Sequence, residues 1–388
     1  MLFIKEIIEN IDKWKENCNR RNSKDYLDQI IQLEKSRKEL ERNFQVLSYE
    51  RKQAQLSSIK MYLEKFRQLS EQIKAIKKEK INVENQIRVI YENLPNWLDE
   101  SVPNGDSETD NQILYTHGQQ KNGTFLHDKC KQYYKTYASE IAGAKFALFT
   151  DELAELERGL NNFLLIFFQK RGFKFCSVPT IANFSSMFNT GKLPKFQEDI
   201  FHIDSLYLIP TGEVPLVNLL QYFDHDLVTI TQCFRKEAGA SGAKHYGWIR
   251  QHEFSKVELV AKTTNPKEKF QQFCEYQEEL LTYLGLTWRK VNLCAGDIGI
   301  TAYKQVDYEV WLAGYQKWLE VCSISNCRFY QSARMQLKKD KEYLHTLNAT
   351  GGAATRLMAA LIETYHENSL ITLPSILHST CPKEFRVD

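Results

Sequence analysis

The stretch Cys233-Phe-Arg-Lys-Glu-Ala-Gly-Ala-Ser-Gly-Ala-Lys-His-Tyr-Gly-Trp-Ile-Arg-Gln-His-Glu-Phe-Ser-Lys-Val-Glu-Leu259 decides how the chain is read. Two β-prone runs flank a glycine-rich centre, the pattern of a hairpin. Strand alternation places Arg235 and Glu237 on one face of the first arm. It places Arg250, His252, Phe254 and Glu258 together on one face of the second. Burying arginines and carboxylates unpaired costs several kcal/mol, so this face is no ordinary core. Two readings remain: a salt-bridged, solvent-facing sheet surface, or a floor for an anionic, aromatic ligand. A guanidinium fork grips phosphate or carboxylate, and a ring stacks on a base.

Around the hairpin lie further strand-like runs, Leu227 to Phe234, Trp248 to Val260 and Trp318 to Ser323. Helical runs, Leu153 to Gln169 and Lys267 to Leu284, separate them. Strands joined by hairpin-length loops, without regular βαβ units, predict an α+β body: an antiparallel sheet flanked by helices.

The N-terminal quarter differs. Neither Gly nor Pro occurs before Pro95, so nothing there breaks a helix. Tyr26, Ile30, Leu33, Arg37, Leu40, Phe44, Leu47, Arg51 and Ala54 recur at spacings of four and three. Phe66, Leu69, Ile73, Ile76, Lys80, Val83, Ile87, Ile90 and Leu94 repeat the pattern. Each seam covers about 30 residues, or roughly 45 Å of helix. The polar patch Gln55 to Ser58 is the expected reversal of an antiparallel coiled-coil hairpin, and Pro95 to Asn111 reads as a linker. By pattern alone the hairpin serves equally as an oligomerisation zipper or a nucleic-acid arm.

Charge leans toward the second use. Of 51 Lys+Arg and 49 Asp+Glu, residues 1–94 hold 20 and 15, so a basic segment precedes a slightly acidic body. The nine cysteines form no CxxC pair, so neither zinc nor a disulfide framework is expected. The longest apolar run, Phe163 to Phe168, is too short to span a bilayer. Met1 to Ile8 has neither signal-peptide nor transit-peptide character. The expectation is a cytoplasmic protein without membrane association.

Phe234-Arg-x-Glu, a loop, then Arg250-x-x-x-Phe254 resembles the second signature motif of class II aminoacyl-tRNA synthetases. Further runs are similar to the bacterial-type seryl-tRNA synthetase family: Gly191-Lys-Leu-Pro-Lys-Phe196, Tyr207-Leu-Ile-Pro-Thr-Gly-Glu-Val-Pro-Leu216, Leu319-Glu-Val-Cys-Ser323, Ser325-Asn-Cys327 and His345-Thr-Leu-Asn-Ala-Thr350. Gly351 to Arg356, leading into the helix Leu357 to Tyr365, would be the last family motif, and Arg171 to Pro179 the first, which builds a homodimer interface. The resemblance covers essentially the whole chain and implies a helical tRNA-binding arm over 1–98 and a catalytic domain over 99–388. It implies activation of L-serine by ATP to seryl-adenylate and transfer to the 3′ end of tRNA(Ser). An adenylate-forming paralogue acting on a non-tRNA acceptor is the alternative, and such relatives generally lack the arm.

Carried over by resemblance, Arg235 and Arg356 are the catalytic pair, on the α- and γ-phosphates. Arg235, Lys236, Glu237, Arg250, Phe254, Glu320, Val321, Cys322, Ser323 and Arg356 form the ATP site, with Phe254 under adenine. Glu320 and Ser323 would hold the Mg²⁺ that accompanies ATP, although a regular strand puts them out of phase. Thr211, Gly212, Glu213, Glu258, Asn348 and Thr350 would form the serine pocket, with either carboxylate free to take the ammonium. Three departures stand out. Thr211-Gly-Glu replaces the commoner Thr-Ala-Glu, a change expected to be tolerated. Gln331-Ser-Ala-Arg334 lacks the first of two usual arginines, and Gly242-Ala-Lys-His-Tyr-Gly247 replaces Gly-Arg-Asp-Thr-Arg-Gly. Lys244, His245 and Tyr246 are then expected to alter acceptor-end contacts. Each arm seam is also shorter than is usual in the family.

Overall fold

A computed structural model describes residues 4–23, 26–55, 60–123, 137–237 and 249–387. The chain divides into two compact units, Met1–Pro95 and Asn96–Asp388. The expected reversal at 55–58 and the hairpin loop with Lys244, His245 and Tyr246 lie largely or wholly outside the described residues.

The first unit is built on two long helices, α1 (Leu27–Gln55) and α2 (Lys60–Asn93). They run antiparallel: Arg51 lies over the Phe66 ring, Lys77 over Phe44, and Lys80 bridges to Glu41 at 2.5 Å. Nearer the first unit's base, Leu27 and Ile30 pack with Val83, Ile87 and Ile90. The short helices Ile4–Glu9 and Ile11–Arg20 add Ile4, Ile7 and Cys18 to that cluster. The polar seam positions are therefore paired. Arg37 closes on Glu34 at 2.7 Å, Lys80 on Glu41, and Arg51 on an aromatic face. Tyr26 departs from the expected seam: it is exposed, and Leu27, the first helical residue, is fully buried in its place.

The second unit holds an eight-stranded sheet among the described residues. Its strands are β1 (Gln112–His117), β2 (Lys174–Phe175), β3 (Leu227–Phe234), β4 (Glu253–Thr263), β5 (Trp288–Asn292), β6 (Lys304–Leu312), β7 (Lys317–Asn326) and β8 (His345–Ala353). The order is β1-β5-β6-β7-β8-β4-β3-β2, antiparallel throughout except the parallel β2–β3 pair. This is the expected α+β architecture.

Three helices, α3 (Asp151–Gln169), α4 (Pro266–Tyr283) and α5 (Ala354–Tyr365), share the main core with one face of the sheet. Period-two alternation sends Val257, Leu259 and Ala261 of β4 into that core, with Leu160, Leu164 and Phe168 of α3. The same alternation turns Phe254, Lys256 and Glu258 to the opposite face. Part of that face is covered by the helix Glu213–Leu219, whose Leu216 and Val217 pack on Leu227 and Val260.

Two expectations are corrected here. The stretch after Pro95 is no loose linker: Leu98 and Val102 are buried against Leu293, Ala295 and Ile298. Asn96 Nδ2 also donates to the carbonyls of Thr301 and Cys327. Polar composition hid these few anchoring side chains. Among the described residues the second hairpin strand begins at Glu253, so the expected alternation does not extend back through His252 and Arg250. The His252 ring instead sits against Phe146 and Phe201, with Nδ1 2.8 Å from the Arg235 carbonyl.

Candidate active site

On the open face, β3 and β4 pair with Cys233 opposite Phe254 and Thr229 opposite Glu258. On the other side of β4, β8 sets Thr350 opposite Glu258. A cleft forms there, lined by Arg235, Glu237, Arg250, Phe254, Glu320 and Arg356. The Arg235 guanidinium lies 5.3 Å from the Phe254 ring centroid, and its Nε donates to the Pro210 carbonyl at 3.2 Å. Glu237, in a left-handed backbone conformation (φ 49°), accepts from the exposed Arg250 at 3.5 Å. Arg356, in the first turn of α5, donates to the Glu320 carbonyl at 2.8 Å and approaches its carboxylate at 3.4 Å. The face thus carries cations and one ring around an open space, arranged for a phosphate-bearing, base-bearing ligand.

Beside this cleft is a polar cluster around two buried carboxylates. Glu258 accepts from Thr211 Oγ1 at 2.8 Å and from Lys256 Nζ at 2.5 Å, both on Oε2. Burial pushes the Glu258 carboxyl up, and the Lys256 charge opposes that rise. Glu213 is held at both oxygens. Lys192 Nζ lies 2.7 Å from Oε2, while Gln331 Nε2 at 2.7 Å and Asn348 Nδ2 at 3.2 Å reach Oε1. Burial alone would lower the Lys192 ammonium, but the Glu213 carboxylate outweighs it and holds the group above its ordinary value. Gly212 sits where a Cβ would meet Thr229 Cγ2 at 2.8 Å and Glu258 Cβ at 3.1 Å. The glycine therefore has a packing reason in this chain, consistent with its standing where alanine is commoner.

The phase problem at Glu320 and Ser323 is resolved by a β-bulge. Glu320 faces Glu309, whereas Cys322 already faces Tyr308 and Ser323 faces Asp307, so Val321 is the extra residue. The bulge places Glu320 and Ser323 opposite two residues of equal parity on β6. Ser323 Oγ donates to Asp307 Oδ1 at 2.6 Å. Burial, reinforced by the Glu320 charge, pushes the Asp307 carboxyl well up. Cys322 falls on the other side: it is fully buried in the core and its thiol donates to Gln277 of α4 at 3.0 Å. Its side chain therefore takes no part in the cleft, while Val321 lines it. Lys236 stands aside as well, with its ammonium 5.8 Å from the Phe201 ring centroid.

Apart from Ser323, which meets Asp307 and Gln305, the remaining sequence-derived residues come together in these two adjoining sites. Lys256, Lys192, Gln331 and Asp307, which contact these residues, were not among those read from the sequence. Lys256 was legible, because it shares parity with Phe254 and Glu258. Gln331 and Lys192 stood within quoted motifs, but their contacts with Glu213 depend on how separate segments fold together.

This combination defines a class: residues 196–365 match the family model described as the tRNA synthetase class II core domain (G, H, P, S and T). Residues 1–98 match the seryl-tRNA synthetase N-terminal domain. A serine–tRNA ligase of Carboxydothermus hydrogenoformans is 34% identical over 97% of both chains. One from Aliarcobacter butzleri is 38% identical over 80% of this chain and 82% of its own. The crystal structure of a Pyrococcus horikoshii seryl-tRNA synthetase complexed with ATP superposes with a TM-score of 0.92 at 26% identity, covering all of both chains. The chain belongs to the seryl-tRNA synthetase family and is an ATP-dependent serine–tRNA ligase.

Proposed function

We propose that the two adjoining sites divide the reaction, the polar pocket holding L-serine and the arginine-lined cleft holding ATP. The observation that carries this division is the pair of buried carboxylates, Glu213 and Glu258, set beside a cleft of guanidinium groups. Serine offers an ammonium and a hydroxyl, which want acceptors. Thr211, Glu213, Glu258, Asn348 and Thr350 provide them, with Gly212 packed closely against Thr229 and Glu258 beside them. A pocket whose polar groups expect a hydroxyl disfavours alanine, since a buried group would be left unpaired.

In the cleft, Phe254 supports the adenine ring and Arg235 bridges the α-phosphate and the serine carboxylate. Arg356 takes the γ-phosphate, and Glu237 with Arg250 orients the nucleotide. The serine carboxylate attacks the α-phosphorus and pyrophosphate leaves. The 3′-terminal hydroxyl of tRNA(Ser) then attacks the adenylate carbonyl and releases AMP. No protein nucleophile is needed, so catalysis is positioning and charge neutralisation. Glu320 and Ser323 offer hard oxygen donors on one face, with Asp307 adjoining, a donor set that fits Mg²⁺ arriving with ATP. That cation would neutralise phosphate charge.

We assign residues 1–98 to tRNA contact and 99–388 to catalysis, with the chain acting as a cytoplasmic homodimer through the Arg171 to Pro179 region. Buried free cysteines agree with a reducing compartment, and among the described residues no helix is long and apolar enough to cross a membrane. Sedimentation at micromolar concentration is expected to give twice the chain mass.

Serine-dependent ATP–pyrophosphate exchange, followed by charging of total tRNA, tests the assignment. Arg235→Ala should lower exchange by about a hundredfold or more. Exchange without charging would point to a non-tRNA acceptor, and exchange equally supported by alanine would remove the serine pocket.

A further inference from the structure

Lys256 enters the polar pocket from the middle of β4, on the same face as Phe254 and Glu258. Its Nζ lies 2.5 Å from Glu258 Oε2 and 3.1 Å from Thr211 Oγ1, and the residue is only 8% exposed. The same side chain borders the cleft of Arg235, Phe254, Thr350 and Arg356. A primary ammonium of the protein is therefore held by a carboxylate and a hydroxyl inside the pocket assigned to serine. Serine brings a primary ammonium of its own. Thr211 and Lys256 both meet Glu258 on Oε2, and one carboxylate charge cannot neutralise two such cations in a buried site, so a serine ammonium here meets the repulsion of Lys256.

The second carboxylate offers no equivalent place. Both Glu213 oxygens are engaged, by Lys192 on one and by Gln331 and Asn348 on the other. Glu258 with Thr211 is thus the exchangeable acceptor pair. Lysine is a compact charge on a flexible four-carbon stem, able to swing while its backbone stays in the sheet.

We infer that Lys256 keeps the place of the serine ammonium in the free pocket and is displaced by it, turning its own charge to the phosphate side of the cleft beside Arg235. This rests on the serine-pocket assignment above. The exchange leaves Glu258 paired at every stage, which avoids the cost of an uncompensated buried charge. It also delivers a second cation to the region where negative charge gathers as the serine carboxylate oxygen bonds to the α-phosphorus and the phosphorus–oxygen bond to pyrophosphate breaks. That cation arrives only when serine is bound, so it favours the transition state over either substrate alone.

The test uses the full chain. Serine-dependent exchange by the wild type comes first; its absence would overturn the pocket assignment on which the displacement rests, whereas the outcomes below test the displacement by itself. Lys256→Met and Lys256→Gln are then compared with wild type by calorimetry of serine without ATP and by steady-state exchange. The expected result is serine binding retained or tightened several-fold, because the competitor is gone, with kcat down about a hundredfold. Weakened serine binding, or kcat within about threefold of wild type, would show a fixed counter-ion of Glu258 and overturn the proposal. A measurement on the wild type keeps the proposal testable if the variants do not fold. Trace acetylation at Lys256, read by mass spectrometry, should rise on adding serine alone and fall again with ATP; labelling indifferent to serine would overturn it.

Discussion

Gly212 shows how much one missing methyl matters beside this pocket. The site where its Cβ would stand is filled by Thr229, whose hydroxyl donates to the Cys176 carbonyl at 2.7 Å while its methyl occupies the gap. Gly212→Ala is expected to press on Thr229 and Glu258, raising the serine KM with a stability cost of about 1–2 kcal/mol. Adding Thr229→Ser removes the methyl and keeps the hydroxyl, so the double variant should regain most of both losses in exchange kinetics and thermal melting. Equal defects in the single and double variants would show that Thr229 is not the obstacle. Arg235, Phe254 and Glu258 were legible from alternation along a hairpin. Lys192 and Gln331 were not, because their meeting with Glu213 joins segments more than a hundred residues apart in the case of Gln331.

At the scale of elements, the helix α5 carries an ionisable carboxyl on its buried side. Glu363 is buried, accepts from the Gly314 amide at 2.8 Å, and has its carboxyl pushed up by burial to about 7. An unfolded glutamate ionises near 4.5. Between these values the folded chain keeps a proton that the unfolded chain releases. Stability therefore falls as pH rises from about 4.5 to about 7, by on the order of 3 kcal/mol from this group. Glu363→Gln keeps the acceptor for Gly314 and removes the ionisation. Its melting temperature should exceed that of wild type at pH 8 and match it near pH 5. A constant difference across that range would dismiss ionisation as the cause. The bulge at Val321 belongs to this scale too. Regular alternation separates Glu320 from Ser323, and only pairing with β6 reveals the extra residue.

For the whole molecule, the division of labour between the units makes the sharpest expectation. Lys52, Arg67, Lys74 and Lys78 are exposed on the arm, away from the seam contacts of Lys77 and Lys80. Reversing those four charges to Glu should raise the tRNA KM about tenfold or more and flatten the salt dependence of tRNA binding. ATP–pyrophosphate exchange should stay within about twofold of wild type. A matching loss of exchange would assign the arm a structural part in catalysis.

What the sequence by itself determined is local and periodic. Heptad-like spacing and the absence of Gly and Pro set out the arm, and alternation set out the hairpin face. Both follow from backbone geometry, which repeats every 3.6 or two residues whatever lies across the fold. Only the tertiary structure decided the pairing of each pocket carboxylate with its own lysine, the turning of Cys322 into the core, and the packing of Leu98 and Val102 against the body. Those outcomes depend on strand register and on desolvation by distant neighbours, and a register shift of one residue reverses which side chains meet.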